Sequence, residues 1–260
     1  MKHVPIQPIW DTIPAVFHPL FQNAAVYDSS CSSAATVYFI DKQDGFFLKS
    51  APKGNLAKEA VMTQFFHEKG LSAQILAYES LDRDWILTRR IPGEDCISQM
   101  YLADPIRLCD TTATLLRQLH ALDPAGCPVH RTADYLATAR CNYKAKQYDA
   151  SLFPDNWGYA TPEEAWGELE KNGHLLRSDT LLHGDYCLPN ILLLDWRFSG
   201  FIDLDAAGIG DRHIDLFWGM WSLQFNLKTD AFRDRFLDAY GREAICEDAF
   251  RTVAACEVFG

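Results

Sequence analysis

The side chains that could do chemistry are most concentrated between residues 181 and 215. The run HGDYCLPN at 183–190 carries Asp185 and Asn190, and Asp203 lies farther along the same stretch. Carboxylate and amide oxygens are the ligands that Mg²⁺ prefers, and this ion usually keeps some of its waters. If Asn190 and Asp203 hold such an ion, Asp185 is left to accept or orient the proton of an attacking hydroxyl group.

Short apolar runs at 181–182, 191–194 and 201–204 predict strands around these side chains. The histidine, glycine and aspartate of the motif follow the first run, the asparagine precedes the second, and Asp203 lies in the third. We therefore expect two carboxylates and a carboxamide to converge at one end of a small sheet. A single loop aspartate is usually a turn or a helix cap, so the prediction depends on the whole set and its spacing.

These motifs resemble those of the aminoglycoside phosphotransferase family, with the greatest likeness to its aminoglycoside 3′-phosphotransferase (kanamycin kinase) branch. That branch shows HGDxCLPN, RFSGFID and GxxDRxxD, and this chain has HGDYCLPN (183–190), RFSGFID (197–203) and GIGDRHID (208–215). The likeness extends through LRQLHALDP (116–124) and CEVF (256–259). The resemblance implies an α+β, two-lobed, protein-kinase-like fold, with a small β-rich N-terminal lobe and a larger, mainly helical C-terminal lobe.

The resemblance also implies roles for individual residues. Asp185 resembles the catalytic aspartate, and Asn190 and Asp203 resemble the Mg²⁺ ligands. Lys49 resembles the lysine that holds the α- and β-phosphates of ATP or GTP, and Glu59 resembles its partner on a helix. Taken alone, Lys49 would more often be the solvent-exposed end of a strand.

Further nucleotide contacts follow from the same resemblance. Neither a Walker-type phosphate loop nor GxGxxG occurs, and the serine-rich run at 28–34 takes that place in the chain. A plain turn is an equally good interpretation of this run. The nucleotide set comprises Ser32 and Ser33 for phosphate, Phe47 for stacking on the purine, Thr88 and Ile91 at a hinge, and Ile202 beside the metal ligand.

Hydrophobic periodicity predicts the elements that must position these groups. Two β-rich runs flank the turn-prone Asp44-Gly45 pair and predict a hairpin, with Leu48 facing away from its neighbours on the strand. Further predicted elements are a helix over 56–69, strands over 74–80 and 84–89, and a helix over 105–122. We place an N-terminal nucleotide-binding lobe at 1–90, a C-terminal catalytic and acceptor-binding lobe at 91–260, and a hinge at about 88–96.

Charge and composition limit the possible partners. The chain has 260 residues, with 24 Lys and Arg against 35 Asp and Glu, a net charge of −11. This acidic balance argues against nucleic acid or an anionic membrane and favours a cationic small molecule. The absence of a signal peptide, a long apolar run and a CxxC pair predicts a cytoplasmic protein with reduced, mostly buried thiols. We expect a monomer or weak dimer.

The acceptor site is where the resemblance is weakest. Glu257 and Phe259 match the terminal acidic and aromatic positions of the family, an acid of the family is replaced by Cys256, and Asp205 could restore one lost charge. The acidic stretch over 149–170 is either a solvated helix face and loop or a rim that attracts cations. Leu204, Asp205, Ala206, Trp221 and Ser222 depart from the kanamycin-type pattern.

Three functions are therefore compatible with the sequence. The first is Mg²⁺-dependent phosphorylation of an aminoglycoside, most simply at the 3′-hydroxyl, which gives antibiotic resistance. The others are a kinase of a small metabolic hydroxyl compound and a non-catalytic nucleotide-binding protein. Retention of Lys49, Asp185, Asn190 and Asp203 together argues against the last of these. By analogy with the family, Asp215 is expected to anchor the catalytic loop.

Overall fold

The computed structural model describes residues 4–148 and 158–260, which form two compact units. The first unit contains Met1–Ser98 and Pro189–Asp205, and the second contains Gln99–Leu188 and Ala206–Gly260. The chain thus passes from the first unit to the second after Ser98, and the segment Pro189–Asp205 belongs to the first unit again. The predicted lobe boundary at 88–96 stays a prediction.

The first unit is built around antiparallel strands. Its strands and helices are β1 (Val4–Pro5), α1 (His18–Phe21), β2 (Ala25–Asp28), β3 (Thr36–Asp41), β4 (Phe46–Pro52), α2 (Ala57–Glu68), β5 (Ile75–Ser80), β6 (Arg83–Arg89), β7 (Glu94–Asp95), β9 (Ile191–Leu194) and β10 (Arg197–Phe201). Six strands form one sheet in the order β1-β2-β3-β4-β6-β5, and three form a second in the order β10-β9-β7. The predicted hairpin is confirmed as β3 and β4, and the predicted helix over 56–69 as α2.

Strand β4 shows why this sheet positions functional side chains. Successive side chains alternate between the two faces of a strand, and along β4 Phe46, Leu48 and Ser50 are buried while Phe47 and Lys49 are only half-buried. The prediction that Leu48 faces away from its neighbours is therefore confirmed. Behind that buried face lies an aromatic and aliphatic core, comprising Ile13, Phe17, Phe21, Val26, Tyr38, Ile40, Phe46, Leu48, Trp85 and Leu87.

The second unit is mainly helical. It contains α3 (Gln99–Leu102), α4 (Pro105–His120), α5 (Thr132–Ala145), α6 (Pro162–Asn172), β8 (Thr180–Leu182), β11 (Gly208–Gly210), α7 (His213–Leu227), α8 (Arg233–Tyr240) and α9 (Glu247–Glu257). Asp104 caps α4 by accepting a hydrogen bond from the N–H of Arg107, and Pro105 occupies the first turn, where its missing donor costs nothing. The fold class, α+β with a β-rich part and a mainly helical part, is as predicted.

One expectation about the strands is wrong. Strand β8 pairs with β11 in the second unit, whereas β9 and β10 pair with each other and with β7 in the first. The motif strands therefore do not form one small sheet. The predicted strand over 201–204 also ends at Phe201, because the backbone at Asp203 has a positive φ of 61°.

Cysteine placement agrees with the composition. All eight cysteines are free thiols, of which Cys31, Cys141 and Cys246 are exposed and the other five are buried. Among the described residues, no helix is both long and apolar enough to cross a membrane.

Asp84 is a buried carboxylate that fixes the start of α2. Its Oδ2 accepts hydrogen bonds from the backbone N–H groups of Gly54 (2.8 Å) and Leu56 (3.0 Å), and its Oδ1 accepts one from Ser80 Oγ (2.7 Å). Burial opposes the charge, but these hydrogen bonds outweigh it and lower the pKa of the Asp84 carboxyl. Asp84 thus holds the helix that carries Glu59.

We expect Asp84→Ala to lower the free energy of unfolding by about 2–4 kcal/mol, because two backbone donors and one hydroxyl lose their buried acceptor. Urea unfolding followed by circular dichroism measures this change. Asp82→Ala is the control, since Asp82 is exposed in the turn between β5 and β6. Equal stability of the two variants would contradict the role of Asp84.

Candidate active site

Lys49 lies between two carboxylates in the first unit. Its Nζ donates a hydrogen bond to Glu59 Oε1 at 3.0 Å and lies 2.8 Å from Glu59 Oε2, without hydrogen-bond alignment to that second oxygen. The same Nζ is 2.6 Å from Asp203 Oδ1. Strand β4, helix α2 and the segment after β10 each supply one of the three groups. The structure therefore brings together three residues that are separated widely in the sequence.

The charges in this group support one another. Burial alone would lower the pKa of Lys49, but the carboxylates of Glu59 and Asp203 outweigh it and hold that pKa well above its usual range. Lys49 is therefore a permanent cation at a fixed position. Burial raises the pKa of the Glu59 carboxyl, and the ammonium of Lys49 counteracts this rise.

Asn190 and Asp203 are linked through the backbone. The carbonyl oxygen of Asn190 accepts a hydrogen bond from the N–H of Ile202 at 3.1 Å, and Ile202 directly precedes Asp203. Asp203 has a left-handed backbone with φ of 61°, a conformation that aspartate tolerates better than most residues. Its carboxylate is 47% exposed. A strained residue with an accessible carboxylate at this point is typical of a functional position.

The residues predicted to contact a purine lie on neighbouring elements of the first unit. Phe47 on β4 lies opposite Thr88 on β6 and packs against the ring of Phe39, with centroids 5.1 Å apart. Ile91 is buried in a small apolar cluster with Ala73 and Leu192, against which Ile202 packs. Phe47, Thr88 and Ile202 are each half-buried. Their contact with a nucleotide stays a prediction.

Ser32 and Ser33 lie in an exposed bend between β2 and β3. The bend is held by local hydrogen bonds, in which Asp28 Oδ1 accepts from the N–H of Ser30 (2.9 Å) and Ser30 Oγ accepts from the N–H of Val37 (2.9 Å). Ser32 Oγ accepts from the N–H of Ala34 at 3.3 Å. A structured turn is thus present, and phosphate binding by either serine stays a prediction.

The loop that carries Asp185 is fixed by Asp215 in the second unit. Asp215 is fully buried, and its two carboxylate oxygens accept hydrogen bonds from the N–H groups of His183 (2.8 Å) and Gly184 (2.6 Å). His183 Nδ1 in turn accepts a hydrogen bond from the N–H of Asp185 at 3.3 Å. Asp215 therefore anchors this loop, as the family resemblance implies, and His183 adds a contact to the backbone of Asp185.

Asp215 is in turn supported by His120 and Tyr240. His120 Nε2 lies 3.1 Å from Asp215 Oδ2, and His120 Nδ1 lies 2.8 Å from the hydroxyl oxygen of Tyr240. Burial lowers the pKa of His120. Helices α4, α7 and α8 each supply one member of this buried chain of polar groups.

Gly184 leaves no space for a side chain. Its φ is 87°, and a Cβ at this position would lie 1.9 Å from the carbonyl oxygen of Ala206 and 2.1 Å from Arg131 Nη1. Only glycine satisfies both the positive φ and the close approach of that carbonyl group. The backbone conformation ahead of Asp185 is therefore set by packing in the second unit.

Glu257 at the end of α9 is also in the second unit, and it is held by two hydrogen bonds. Tyr135 Oη donates to Glu257 Oε1 at 2.7 Å, and Trp218 Nε1 donates to the same oxygen at 3.1 Å. Burial raises the pKa of the Glu257 carboxyl to about 7, although both hydrogen bonds pull it downward. This carboxyl group is thus poised to change its charge near neutral pH.

The other predicted acceptor residues are placed differently. Phe259 is fully buried, with its ring against Tyr143, Tyr148 and Trp166, so its side chain has no surface to offer an acceptor in this conformation. Its carbonyl oxygen accepts a hydrogen bond from Asn142 Nδ2 at 2.7 Å, which fixes the end of the chain after α9. The Phe259 ring thus has a packing role here, and the assignment of Phe259 to the acceptor stays a prediction.

Asp205 is exposed in the first unit, and its charge acts on Glu59 by raising the pKa of that carboxyl. Within the acidic stretch, Asp149 and Asp155 lie outside the described residues. Glu163 and Glu164 are exposed in the first turn of α6, where a negative charge favours the helix dipole. Contact of Asp205 with an acceptor stays a prediction.

Comparison with known sequences decides the family. The profile of the phosphotransferase enzyme family matches residues 28–255. This range includes Lys49, Asp185 and Asp203, and it ends just before Glu257. The chain belongs to the phosphotransferase enzyme family. The protein is therefore an enzyme that transfers phosphoryl groups, and the non-catalytic alternative is not needed.

Individual relatives agree with this assignment. A protein of Lactococcus lactis subsp. lactis, named "Probable aminoglycoside 3′-phosphotransferase", is 47% identical over 252 residues, 96% of each chain. An aminoglycoside 3′-phosphotransferase of Niallia circulans is 30% identical over 169 residues, 65% of this chain and 64% of that one.

Solved structures show the fold. The crystal structure of a type VIII aminoglycoside-3′-phosphotransferase has a TM-score of 0.77 and 24% identity, covering 96% of this chain and 98% of that one. A phosphotransferase of Streptomyces rimosus, solved with ADP and streptomycin, has a TM-score of 0.71 and 19% identity, covering 90% and 92%. The predicted protein-kinase-like fold of this phosphotransferase is confirmed.

Sequence reasoning missed Tyr135 and Trp218. Both donate to Glu257, but they lie 122 and 39 positions from it along the chain. A tyrosine and a tryptophan in helices are ordinarily core residues, so neither position carries a local signal of this role. Only the packing of α5 and α7 against α9 reveals the contacts.

We expect Lys49→Met to lower the free energy of unfolding by about 2–4 kcal/mol at pH 8, because it leaves the Glu59 carboxylate buried without its cation. Burial then keeps the pKa of Glu59 raised in the folded state, so the folded protein binds a proton more readily than the unfolded chain. The loss is therefore smaller at pH 5 than at pH 8. Urea unfolding at the two pH values measures it.

The double variant Lys49→Met/Glu59→Gln is the matched control. It removes the buried charge together with its partner, so we expect it to recover much of the lost stability at pH 8. Equal losses at both pH values, or no recovery in the double variant, would show that the ion pair does not hold this part of the first unit.

Proposed function

We propose that this phosphotransferase transfers the γ-phosphate of ATP or GTP to the 3′-hydroxyl of an aminoglycoside and thereby gives antibiotic resistance. The observation that carries the proposal is the 47% identity to the Lactococcus lactis protein named for this activity, over 96% of each chain. The geometry around Lys49 and around Asp185 supports the chemistry.

The nucleotide end of the reaction is assigned to the first unit. Lys49 is a permanent cation, and Glu59 and Asp203 fix its Nζ from two sides. A lysine held in this manner suits the α- and β-phosphates, since a fixed positive charge needs no reorganisation when phosphate arrives. We assign purine contacts to Phe47, Thr88, Ile91 and Ile202 and phosphate contacts to Ser32 and Ser33.

Asn190 and Asp203 fit the requirements of Mg²⁺. They offer one amide and one carboxylate, both hard oxygen donors, and a hydrogen bond between the carbonyl of Asn190 and the N–H of Ile202 ties their backbones together. One or two such protein ligands are usual for Mg²⁺, with phosphate oxygens and water completing the shell. When bound, the ion would neutralise charge on the triphosphate.

Asp185 is assigned to the acceptor hydroxyl. It orients the hydroxyl oxygen for attack on the γ-phosphorus and accepts its proton as the new oxygen–phosphorus bond forms and the bond to the leaving diphosphate breaks. Its loop is fixed by Asp215 and Gly184, so the carboxylate is already in place before the acceptor binds. Catalysis is then mainly positioning and charge stabilisation.

A cationic acceptor agrees with the charge of the chain. Aminoglycosides carry several ammonium groups, and the net charge of −11 favours their approach. Glu257 and Asp205 are the carboxylates assigned to the acceptor. We further propose that the enzyme acts in the cytoplasm as a monomer or weak dimer, and that a hinge lies at about residues 88–96.

We expect the purified enzyme to release ADP or GDP with kanamycin in the presence of Mg²⁺ and to show no turnover with tobramycin, which lacks the 3′-hydroxyl. Asp185→Ala is expected to lower turnover by a factor of at least about 1,000 while leaving nucleotide affinity nearly unchanged, because it removes the group that orients the acceptor. Coupled nucleotide-release assays and calorimetric titration measure the two quantities.

Asp179→Ala is the control, since Asp179 is exposed just before β8. Full activity of Asp185→Ala would show that Asp185 is not the catalytic residue. Turnover of amino alcohols or sugars, with none on any aminoglycoside, would favour the metabolic kinase instead. Activity on tobramycin equal to that on kanamycin would contradict the 3′ assignment.

A separate experiment tests the metal ligands. Asp203→Asn keeps a residue that tolerates the left-handed backbone but removes the negative charge. We expect ADP alone to raise the melting temperature as in the wild type, whereas the additional rise on adding Mg²⁺ falls to less than about half. Thermal-shift titrations measure both.

Asp195→Asn provides the matched control, because Asp195 is an exposed aspartate in the first unit that also has a positive φ, of 51°. It should keep the full effect of Mg²⁺. A full Mg²⁺ effect in Asp203→Asn as well would remove Asp203 from the metal site.

A further inference from the structure

Glu257 is held from two sides by donors on different helices. Tyr135 on α5 and Trp218 on α7 both donate to Oε1, at 2.7 Å and 3.1 Å. The Trp218 ring is itself packed edge-on against Phe217 and Trp221, with centroids 5.5 Å and 5.4 Å away. A carboxylate with two charge-assisted hydrogen bonds on one oxygen has little freedom to rotate.

The second carboxylate oxygen is left available. Among the described residues, Oε2 of Glu257 accepts no hydrogen bond. Gly260 is the neighbouring residue on that side, since a Cβ built on it would lie 3.2 Å from Oε2. The carboxylate is thus oriented through one oxygen, while the other keeps its capacity to accept a hydrogen bond.

The charged and titratable groups that act on Glu257 come from the start of α5 and from the catalytic loop. Arg131 at the start of α5 favours the carboxylate, and Asp185 in the catalytic loop disfavours it. Cys256 precedes it on α9, and burial raises the pKa of that thiol, which therefore stays neutral. Burial also raises the pKa of Tyr135 well above its usual value, so Tyr135 keeps its proton and remains a donor.

We propose that Tyr135 and Trp218 are positioning residues for the acceptor, because they hold Glu257 through Oε1 and present Oε2 to an ammonium group of the substrate. The electrostatic influence of Asp185 on Glu257 indicates that the Glu257 carboxyl group lies within range of the catalytic loop of the same unit. The acceptor part of this inference rests on the proposed function. The part that concerns Glu257 itself does not.

The proposal has a consequence for pH. The Glu257 carboxyl has a pKa raised to about 7, so it is neutral below that pH and loses its attraction for an ammonium group. The KM for kanamycin should therefore rise as the pH falls through about 7. The amines of kanamycin gain charge over the same range, which by itself would change KM in the opposite direction.

Removing one of the two hydrogen-bond donors should raise the pH at which the Glu257 carboxyl loses its proton. Trp218→Phe and Tyr135→Phe each keep an aromatic ring and delete one hydrogen bond to the carboxylate, which disfavours its charged form. We expect each to raise the Glu257 midpoint by about one pH unit, which is about tenfold in the ionised fraction below the midpoint. Trp166→Phe on α6 and Tyr143→Phe on α5 make the same chemical changes at residues with no hydrogen bond to Glu257.

The first measurement uses the ligand-free enzyme. Carbon-13 NMR of protein labelled at the glutamate side-chain carboxyl follows each titration, and the resonance lost in Glu257→Gln identifies Glu257. A midpoint near 7 that rises in Trp218→Phe and Tyr135→Phe, but not in the two controls, supports the proposal. A midpoint below about 5, or one that neither variant moves, overturns it whatever the substrate is.

The second measurement is the pH profile of KM and kcat with kanamycin. We expect the two variants to raise the kanamycin KM at pH 6.5 by up to about tenfold, with kcat and the nucleotide KM changed less than about twofold. An NMR midpoint that moves without any change in KM would overturn the acceptor part of the proposal. No turnover with any aminoglycoside would overturn the proposed function, while the NMR result would still decide whether these donors hold Glu257.

Discussion

The carboxylate of Asp215 is the group on which the catalytic loop depends. It is fully buried, and it accepts hydrogen bonds from the backbone N–H groups of two consecutive residues, His183 and Gly184. Water cannot readily replace these hydrogen bonds at a buried position, so breaking them would leave buried polar groups unpaired. The backbone that carries Asp185 is therefore held in place by a buried group on α7.

The first unit uses the same device with other residues. Asp84 fixes the start of α2 through two backbone N–H groups, α2 carries Glu59, and Glu59 together with Asp203 fixes the ammonium of Lys49. In each unit a buried aspartate accepts hydrogen bonds from backbone N–H groups, and a more exposed group, Lys49 or Asp185, is the one to which we assign the chemistry. Rigid backbone at the site is consistent with a reaction in which positioning supplies much of the rate.

The sequence allowed most of this architecture to be predicted. The hairpin of β3 and β4, the helix α2 and the pairing of Lys49 with Glu59 follow from local periodicity and a family resemblance. The grouping of the motif strands was predicted wrongly, because pairing partners such as β11 and β7 are too short to leave a pattern. The partners of Glu257 could not be predicted, since contacts between distant helices depend on packing.

Gly184 has a consequence for how such an enzyme can change over evolutionary time. Every missense substitution there adds a Cβ into the space filled by the carbonyl group of Ala206, so this point of the loop is closed to variation. Around Glu257, by contrast, the surroundings are side chains on three helices, where one residue can replace another without rebuilding the backbone. With Glu257 in the acceptor role proposed above, the acceptor range can therefore drift among descendants of this chain while the chemistry of transfer is inherited unchanged.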